Sequence, residues 1–314
     1  MRILLLVPNY MDLYKPIVEG LTSKGHIVHV IFDKTFQKED YNYPWLGMHD
    51  RIWRRWKCFF YGTFRKYWEE RLHSDLKLSD RYDVFLCVNG CSLCNYILNL
   101  IEKKNPKIRK ILYLWDDSSF YGYYQYAKRF DRVLTYDLDD SIKYQAEFLP
   151  IYWSNEPSDK KIKYTISMVG TNHSNRLAIV SSIVSQLKNH KVEDYYFKVI
   201  DKSLLQSEFV SHHIFPQDEM TKIMSQSKCI LDIDRPSQSG TTPRLIWALA
   251  LGKKVITTNT NIERMPFYSP ESILIIDRNN PIIDFNFINN PFKGEIHPYI
   301  KSLKIDLWLE RILK

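Results

Sequence analysis

The residues with the clearest chemical meaning lie in the segment 228–259, KCILDIDRPSQSGTTPRLIWALALGKKVITTN. A short apolar strand leads into a loop, 234–242, that is rich in proline, serine, glycine and threonine. Thr242 is placed to cap a helix that starts with Pro243, and Arg244 falls in its first turn. Because free N–H groups and the helix dipole already favour an anion there, an added cation indicates a phosphate-bearing ligand. The alternative is an arginine paired with a surface carboxylate beside an ordinary cap.

Two other groups of residues have spacings that metal sites use. Asp232 and Asp234 form an Asp-x-Asp pair, which we interpret as a loop cap with ligand contacts in preference to a metal site. Cys87, Cys91 and Cys94 have the C-x3-C-x2-C spacing of radical S-adenosylmethionine enzymes, which hold an iron–sulfur cluster. Cys87, however, lies in the apolar run VFLCVN, where cysteine behaves as a small hydrophobe. We therefore expect neither a metal nor a resident cofactor.

The segment 51–71, RIWRRWKCFFYGTFRKYWEER, interleaves aromatic residues at spacings of three and four with seven basic residues. This pattern is typical of an amphipathic helix on an anionic membrane surface. An aromatic stripe packed on the first domain is the alternative, and Gly62 weakens the case for one unbroken helix. No RNA- or DNA-binding motif accompanies the segment, so we expect no nucleic-acid partner. The residues assigned to membrane or acceptor contact are Trp53, Arg54, Arg55, Trp56 and Phe60.

The whole chain has 314 residues, a formal net charge of +8 and an aromatic content of 14%. Its surface should attract anions such as nucleotides or acidic lipids, and its length favours two domains of about 150 residues each. No apolar run approaches the roughly 18 residues that span a bilayer, and the start MRILLLVPNY predicts a first strand. Five cysteines without a paired framework indicate a reducing compartment. We expect a cytoplasmic protein, peripheral on the inner face of the cell membrane.

Short apolar runs alternate with amphipathic stretches, which is typical of parallel sheets covered by helices. A polar, lysine-rich linker at 154–163 divides the pattern. We therefore predict an α/β protein with two Rossmann-like, doubly wound domains, 1–153 and 154–300, that face a cleft. A helix in 301–314 would pack back on the first domain. Open parallel sheets bind ligands at the carboxyl ends of their strands, so the cleft is the expected site.

The predicted strands are 2–7, 26–32, 84–89, 110–115, 132–136, 148–152, 164–169, 195–200, 229–233, 254–258 and 272–276. The predicted helices are 13–24, 93–104, 121–129, 138–147, one from near 175, 217–225, one from 243 to Gly252, and 301–313.

Three stretches resemble a group of bacterial capsule and lipopolysaccharide sugar transferases with the GT-B fold. They are YLWDD with the later FDRVLTYDLDDSIKY and FLPIYW; MVGTNHSNR; and QSGTTPRLIWALALGKKVITTN. The resemblance spans nearly the whole chain and implies an acceptor-binding first domain and a nucleotide-sugar-binding second domain. It also implies sugar transfer to a saccharide acceptor, lipid-linked, in surface-polysaccharide assembly and without a metal. It does not specify the donor sugar, the linkage or the stereochemistry.

In such enzymes the donor diphosphate rests on loops and a helix start of the second domain. A leaving diphosphate needs cations or N–H donors as its bond breaks, and Arg244 with two threonines can supply them. Many GT-B sequences place a ribose-binding glutamate one turn into this helix, where this chain has Trp247; core packing is an equally good interpretation of that tryptophan. The resemblance assigns donor binding to Gly170, Thr171, Asn172 and Arg176 on one loop, and to Ser239, Gly240, Thr241, Thr242 and Arg244 on the other; Asp234 is added as a donor contact from the Asp-x-Asp interpretation.

Sugar transfer with inversion needs a base for the acceptor hydroxyl. Asp116 and Asp117 follow the strand predicted at 110–115, and Asp116 is the best candidate because a carboxylate at that end faces the cleft. Capping of the next helix is the alternative for both, and at least as good for Asp117. His173 could serve from the opposite wall or be a structural histidine. A non-catalytic nucleotide-binding module and the iron–sulfur enzyme stay open as other function classes.

Overall fold

A computed structural model describes residues 1–33, 81–119, 123–154, 161–201, 207–292 and 294–314. The membrane or acceptor contacts predicted between Trp53 and Phe60 therefore lie outside the described residues. The described strands form two parallel sheets with helices packed against them. This confirms the predicted α/β class with two doubly wound units.

The first sheet is built from strands that are buried on both faces, as the unbroken apolar run in Ile3–Val7 indicates. Its strands run in the order β2-β1-β3-β4-β5-β6, all parallel. They are β1 (Arg2–Pro8), β2 (Ile27–Asp33), β3 (Val84–Val88), β4 (Arg109–Leu114), β5 (Arg132–Thr135) and β6 (Glu147–Phe148), with helices α1 (Tyr14–Ser23), α2 (Asn95–Lys104) and α3 (Leu138–Tyr144). The helix predicted at 121–129 is instead a 3-10 helix over Tyr123–Arg129.

The second sheet has the order β12-β11-β10-β7-β8-β9, again all parallel. Its strands are β7 (Tyr164–Thr171), β8 (Tyr195–Ile200), β9 (Val210–Ser211), β10 (Ser227–Asp232), β11 (Lys254–Thr257) and β12 (Ile273–Ile275). Its helices are α4 (Arg176–Asn189), α5 (Gln217–Ser225), α6 (Pro243–Ala250) and α7 (Phe285–Asn289), with a 3-10 helix over Thr260–Arg264. Strand β9 was not predicted, because two residues are too few to show a pattern.

The strand order places a crevice at the carboxyl end of each sheet. From β1 the chain passes to β2 on one side and β3 on the other, and from β7 it passes to β8 on one side while β10 lies on the other. Ligands of open parallel sheets bind where the order reverses in this way. In the second sheet this position belongs to the loops 172–175 and 233–242, which contain most of the predicted donor-binding residues.

The end of the chain returns to the first sheet through α8 (Pro298–Lys301) and α9 (Ile305–Leu313). Helix α9 packs against α1 and β4. Trp308 is fully buried, lies edge-on to Tyr113 with ring centroids 4.9 Å apart, and donates from Nε1 to the carbonyl of Pro150 at 3.0 Å. The contact between this helix and the first sheet is therefore built around one tryptophan.

Several predicted boundaries differ from the structure by one to three residues, and two are wrong by four. The terminal helix begins at Ile305, not at residue 301, because a turn separates it from the short α8. The strand predicted at 148–152 ends at Phe148, since Pro150 has no N–H to donate to a neighbouring strand. Among the described helices, none has the length and apolar character that crossing a membrane requires.

Candidate active site

Arg244, in the first turn of α6, is buried inside the second domain. Its Nε and one terminal nitrogen donate to Asp232 Oδ1 at 3.1 and 2.9 Å. The terminal nitrogens also donate to the carbonyl oxygens of Val169 at 2.7 Å and Ile233 at 3.2 Å. The partner of Arg244 is thus a buried carboxylate of its own domain, and direct contact with a diphosphate stays a prediction.

Asp232 organises this part of the domain. Its carboxylate is fully buried and accepts hydrogen bonds from the hydroxyls of Thr242 at 2.6 Å and Thr257 at 3.0 Å, in addition to those from Arg244. Thr242 also caps α6, because its Oγ1 accepts from the N–H of Leu245 at 3.1 Å. Asp232 therefore holds the capping residue of α6 in place through side-chain hydrogen bonds, which is a different role from the loop cap that the sequence suggested.

A second arginine lies beside the first. Arg176, at the start of α4, is buried and donates to the carbonyls of Thr171 and Ile233. A Cβ atom on Gly170 would lie 2.4 Å from Nη1 of Arg244 and 3.3 Å from Nη1 of Arg176, so only glycine leaves room for both guanidinium groups. Burial, followed by the charge of Arg244, lowers the pKa of Arg176 to about 9. Two buried cations thus share Asp232 as a nearby carboxylate.

Asp234, the second member of the pair, binds a cation that the sequence did not reveal. Arg278 donates to its carboxylate and, at 3.1 Å, to Asn175 Oδ1. Thr258 donates its hydroxyl to Asp234 at 2.5 Å, while burial raises the pKa of the aspartate. No cluster of three or more His, Cys, Asp or Glu side chains in the described part of the chain is arranged to hold a metal. The role of Asp234 in donor binding stays a prediction.

Three residues of the predicted donor loops carry a buried polar atom that has no hydrogen-bond partner among the described residues. These atoms are Asn172 Oδ1, Arg176 Nε and Thr241 Oγ1. Buried polar groups in folded proteins are nearly always hydrogen bonded, and an exception calls for an explanation such as a ligand. Asn172 nonetheless has a fixed position, because its Nδ2 donates to Asp201 at 2.5 Å.

His173 lies among the arginines. Burial and the charges of Arg176, Arg235 and Arg244 lower its pKa to about 4, so the imidazole is neutral at pH 7. A neutral imidazole can accept a proton, but one with so low a pKa is a weak base. A bound anion would oppose the arginine charges and raise this pKa.

On the opposite wall, Asp116 is held by an asparagine that sequence reasoning missed. Asn89 donates from Nδ2 to Asp116 Oδ2 at 2.6 Å and accepts from the N–H of Trp115 at 2.9 Å. It has a φ of 60°, a left-handed conformation that asparagine tolerates better than most residues. Burial raises the pKa of Asp116, against the lowering effects of Asn89 and Arg235. An Asn next to a Gly after an apolar strand was the only available signal.

Replacement of Asn89 by glycine should shift the acid limb of the pH profile of kcat/KM to higher pH. Glycine adopts the positive φ without strain, so the variant removes the amide alone. The hydrogen bond from Asn89 lowers the pKa of Asp116; without it the base stays protonated to a higher pH. Rates should converge with the parent at alkaline pH, where Asp116 is ionised in both proteins. A loss that is equal at every pH would contradict this positioning role.

Asp117 caps the turn that follows it, whereas the alternative made from the sequence was a cap of the next helix. Its Oδ1 accepts from the N–H and the hydroxyl of Ser119, the former at 3.0 Å. Its Oδ2 lies 3.5 Å from Nη1 of Arg235, which belongs to the second domain. The same loop is tied to α3, because Ser118 donates to the Asp140 carboxylate from its N–H at 2.7 Å and its hydroxyl at 2.6 Å.

The remaining predicted donor residues meet the first domain directly. Ser239 and Gly240 donate their N–H groups to the Asp137 carboxylate at 2.7 and 2.9 Å. Thr171 Oγ1 lies 2.7 Å from the hydroxyl of Tyr10. No sequence pattern indicates these partners, although Asp137 stands before a helix, where an aspartate is a common cap. The structure therefore brings the loop 238–242 against the first domain.

Trp247, the residue found in place of a glutamate, is buried and donates from Nε1 to the carbonyl of Tyr152 at 2.9 Å. It thus packs where the two domains join, which agrees with the core interpretation. Cys87 and Cys94 lie in the hydrophobic cluster on one face of the first sheet, and burial raises the pKa of both thiols. Such thiols are poor metal ligands, because the thiolate is the binding form.

The folded chain as a whole can be compared with known proteins. No family model matches the sequence, and no curated protein matches it. Over 100% of its length it is similar to the lipopolysaccharide outer core galactosyltransferase WaaB in its apo form, with 98% of that chain covered, a TM-score of 0.53 and 11% identity. The chain has the GT-B fold.

Two further GT-B neighbours have similar scores. S. aureus MnaA, solved with UDP, has a TM-score of 0.54 and 10% identity, with 100% of this chain and 95% of that chain covered. Sucrose-phosphate synthase from Thermosynechococcus elongatus has a TM-score of 0.51 and 10% identity, with coverages of 100% and 94%. At identities this low, the structural similarity establishes the fold alone, and the chemistry must be argued from the residues of this chain.

Proposed function

We propose that this protein transfers a glycosyl group from a nucleotide-sugar donor to a saccharide acceptor. The observation that carries the proposal is the excess of buried positive charge at the carboxyl ends of β7 and β10, where Arg176 and Arg244 share Asp232. Cations fixed in a buried site stabilise the negative charge that develops on a departing diphosphate. The partnerless atoms of Arg176 and Thr241 are further groups that such a ligand would satisfy.

Asp116 is the proposed base of an inverting reaction. It would accept the proton of the acceptor hydroxyl while the acceptor oxygen bonds to the anomeric carbon and the bond from that carbon to the diphosphate breaks. The electron pair of that bond leaves with the diphosphate, towards the arginines. A raised pKa suits Asp116 for this task, because a stronger base abstracts the proton more readily. His173 remains the second candidate, and no metal is required in this scheme.

The uridine nucleotide is the first donor to test, since the GT-B protein MnaA was solved with UDP. A lipid-linked acceptor and attachment to the cytoplasmic face of the membrane are proposed from the aromatic and basic segment 51–71 and the net charge of +8. Binding to vesicles with acidic lipids at low salt tests the attachment. If neutral vesicles bind the same fraction of the protein, attachment to an acidic membrane surface is contradicted.

Binding of a nucleoside diphosphate should stabilise the folded chain. At a ligand concentration 100 times the Kd, stabilisation is about 2.7 kcal/mol, which corresponds to several degrees in Tm for a protein of this size. Thermal unfolding with UDP, GDP, ADP and inorganic phosphate measures it, and inorganic phosphate is the control for nonspecific anion effects. No stabilisation by any nucleotide would overturn the proposal. A binding module without activity would be stabilised equally but would neither hydrolyse nor transfer the donor sugar.

A further inference from the structure

The Asp137 carboxylate holds the loop 238–242 of the second domain against the first domain, where the N–H of Asp139 also donates to the Ser239 hydroxyl at 2.8 Å. Asp137 accepts from the N–H groups of Ser239 at 2.7 Å and Gly240 at 2.9 Å, and from the Ser239 hydroxyl at 2.7 Å. Its fourth hydrogen bond comes from the N–H of Asp140 at 3.0 Å, which caps α3. The side chain is buried. One aspartate thus serves as a helix cap and as a bridge between the domains.

The position that Asp137 occupies has the form of an anion site. The two successive N–H groups of Ser239 and Gly240, which we call the nest, point at one anion, and backbone N–H groups hydrogen-bond phosphate oxygens as they do carboxylates. Gly240 fits here because Tyr136 lies so close that a Cβ atom would be 2.6 Å from its carbonyl oxygen. The hydroxyl of Thr241, the next residue, is fully buried without a partner among the described residues. The nest therefore holds one anion, Asp137, beside a polar atom that is still unpaired.

We infer that the nest of Ser239 and Gly240 binds a phosphate group of the donor, and that Asp137 occupies it until the donor displaces the carboxylate. This step rests on the proposed function, because it takes the donor to be a nucleoside diphosphate derivative. A ligand that needs the nest binds only the molecules in which Asp137 has left it. The apparent affinity is then the intrinsic affinity multiplied by the fraction of molecules in which Asp137 has left the nest. Asp137 thereby sets how tightly the donor binds.

A neighbouring interdomain contact provides a matched control. Asp139 forms an ion pair with Arg264 of the second domain at 2.8 Å, and both side chains are exposed. Its carboxylate does not touch the two N–H groups of the nest, which Asp137 holds. A charge lost at Asp139 therefore changes the interdomain electrostatics without freeing the nest.

Replacement of Asp137 by asparagine separates the two roles of this residue. Asparagine caps a helix as well as aspartate does, so α3 is kept, while the charge that holds the nest is removed. Titration calorimetry of the full chain with UDP should give a Kd at least about fivefold lower than in the parent, the lower end of common coupling strengths. Asp139→Asn should bind UDP as the parent does. Unchanged or weaker binding in Asp137→Asn overturns the displacement.

Failure of the proposed function gives a different pattern. If the parent binds no nucleoside diphosphate, that function is wrong. Binding of inorganic pyrophosphate then tests whether Asp137 competes with an anion for the nest. Asp137→Asn must then bind pyrophosphate at least about fivefold more tightly than the parent, and equal affinities overturn the inference. Should that variant fail to fold, Ser239→Ala removes one donor to Asp137, together with the acceptor of the Asp139 N–H, and keeps both N–H groups of the nest. It should bind the same probe more tightly by a smaller factor, and no gain overturns the inference.

Discussion

Replacement of Asp116 by asparagine is expected to reduce kcat for sugar transfer by about 10²- to 10⁴-fold, the usual contribution of a general base. The affinity for UDP should stay within about twofold, because Asp116 belongs to the first domain and the arginines proposed to hold the diphosphate belong to the second. Asparagine has the same shape as aspartate and can still accept the hydrogen bond from Asn89. The loss of activity would therefore come from the missing proton acceptor and not from a changed structure around residue 116.

Asp117→Asn is the matched control for that variant. Asparagine can still accept from the N–H of Ser119, so the turn is kept, and only the 3.5 Å contact with Arg235 loses its charge. Transfer should fall far less than in Asp116→Asn. If the two variants lose activity equally, Asp116 is not the base. His173→Gln would then be the informative variant, since His173 is the other candidate proton acceptor.

The fold could be predicted from the sequence because its strands are buried on both faces. Runs such as Ile3–Val7 and Val84–Val88 are apolar without alternation, which indicates a parallel sheet covered by helices. The cap at Thr242 was equally clear, since a threonine before a proline has a strong local meaning. The errors have local reasons: the strand predicted at 148–152 is too long because Pro150 has no N–H for a neighbouring strand, and β9 is too short to show a pattern.

The site could be predicted only in part, because its hydrogen bonds join residues far apart in the chain. The sequence indicated that the cleft would contain Arg244 and Asp116, but not that Arg244 would be neutralised by Asp232. It gave no sign that Asp137 would occupy the N–H groups of Ser239 and Gly240, 102 and 103 residues away. Such pairings depend on how two sheets meet, which no local pattern encodes.

Replacement of Asp232 by alanine is expected to lower the free energy of unfolding by about 3–5 kcal/mol, the usual cost of breaking a buried ion pair by removing one partner. Asp232 is fully buried, and its removal leaves the guanidinium groups of Arg176 and Arg244 without that nearby counter-charge. The hydroxyls of Thr242 and Thr257 lose their acceptor as well. Urea unfolding, with the m-value checked for a constant exposed surface, measures the loss.

Two comparisons make that result specific. Asp139→Ala removes a carboxylate whose partner Arg264 is exposed, and should cost much less, because exposed ion pairs contribute little. Adding Arg244→Met to Asp232→Ala should recover part of the stability, since it removes a buried cation that has lost its counter-charge. If Asp232→Ala lowers the free energy of unfolding no more than Asp139→Ala does, the buried ion pair is contradicted. Arg244 would then be expected to contact the diphosphate, as the sequence suggested. If the double variant recovers stability, the buried positive charge proposed to hold the donor destabilises the fold, and Asp232 offsets that destabilisation.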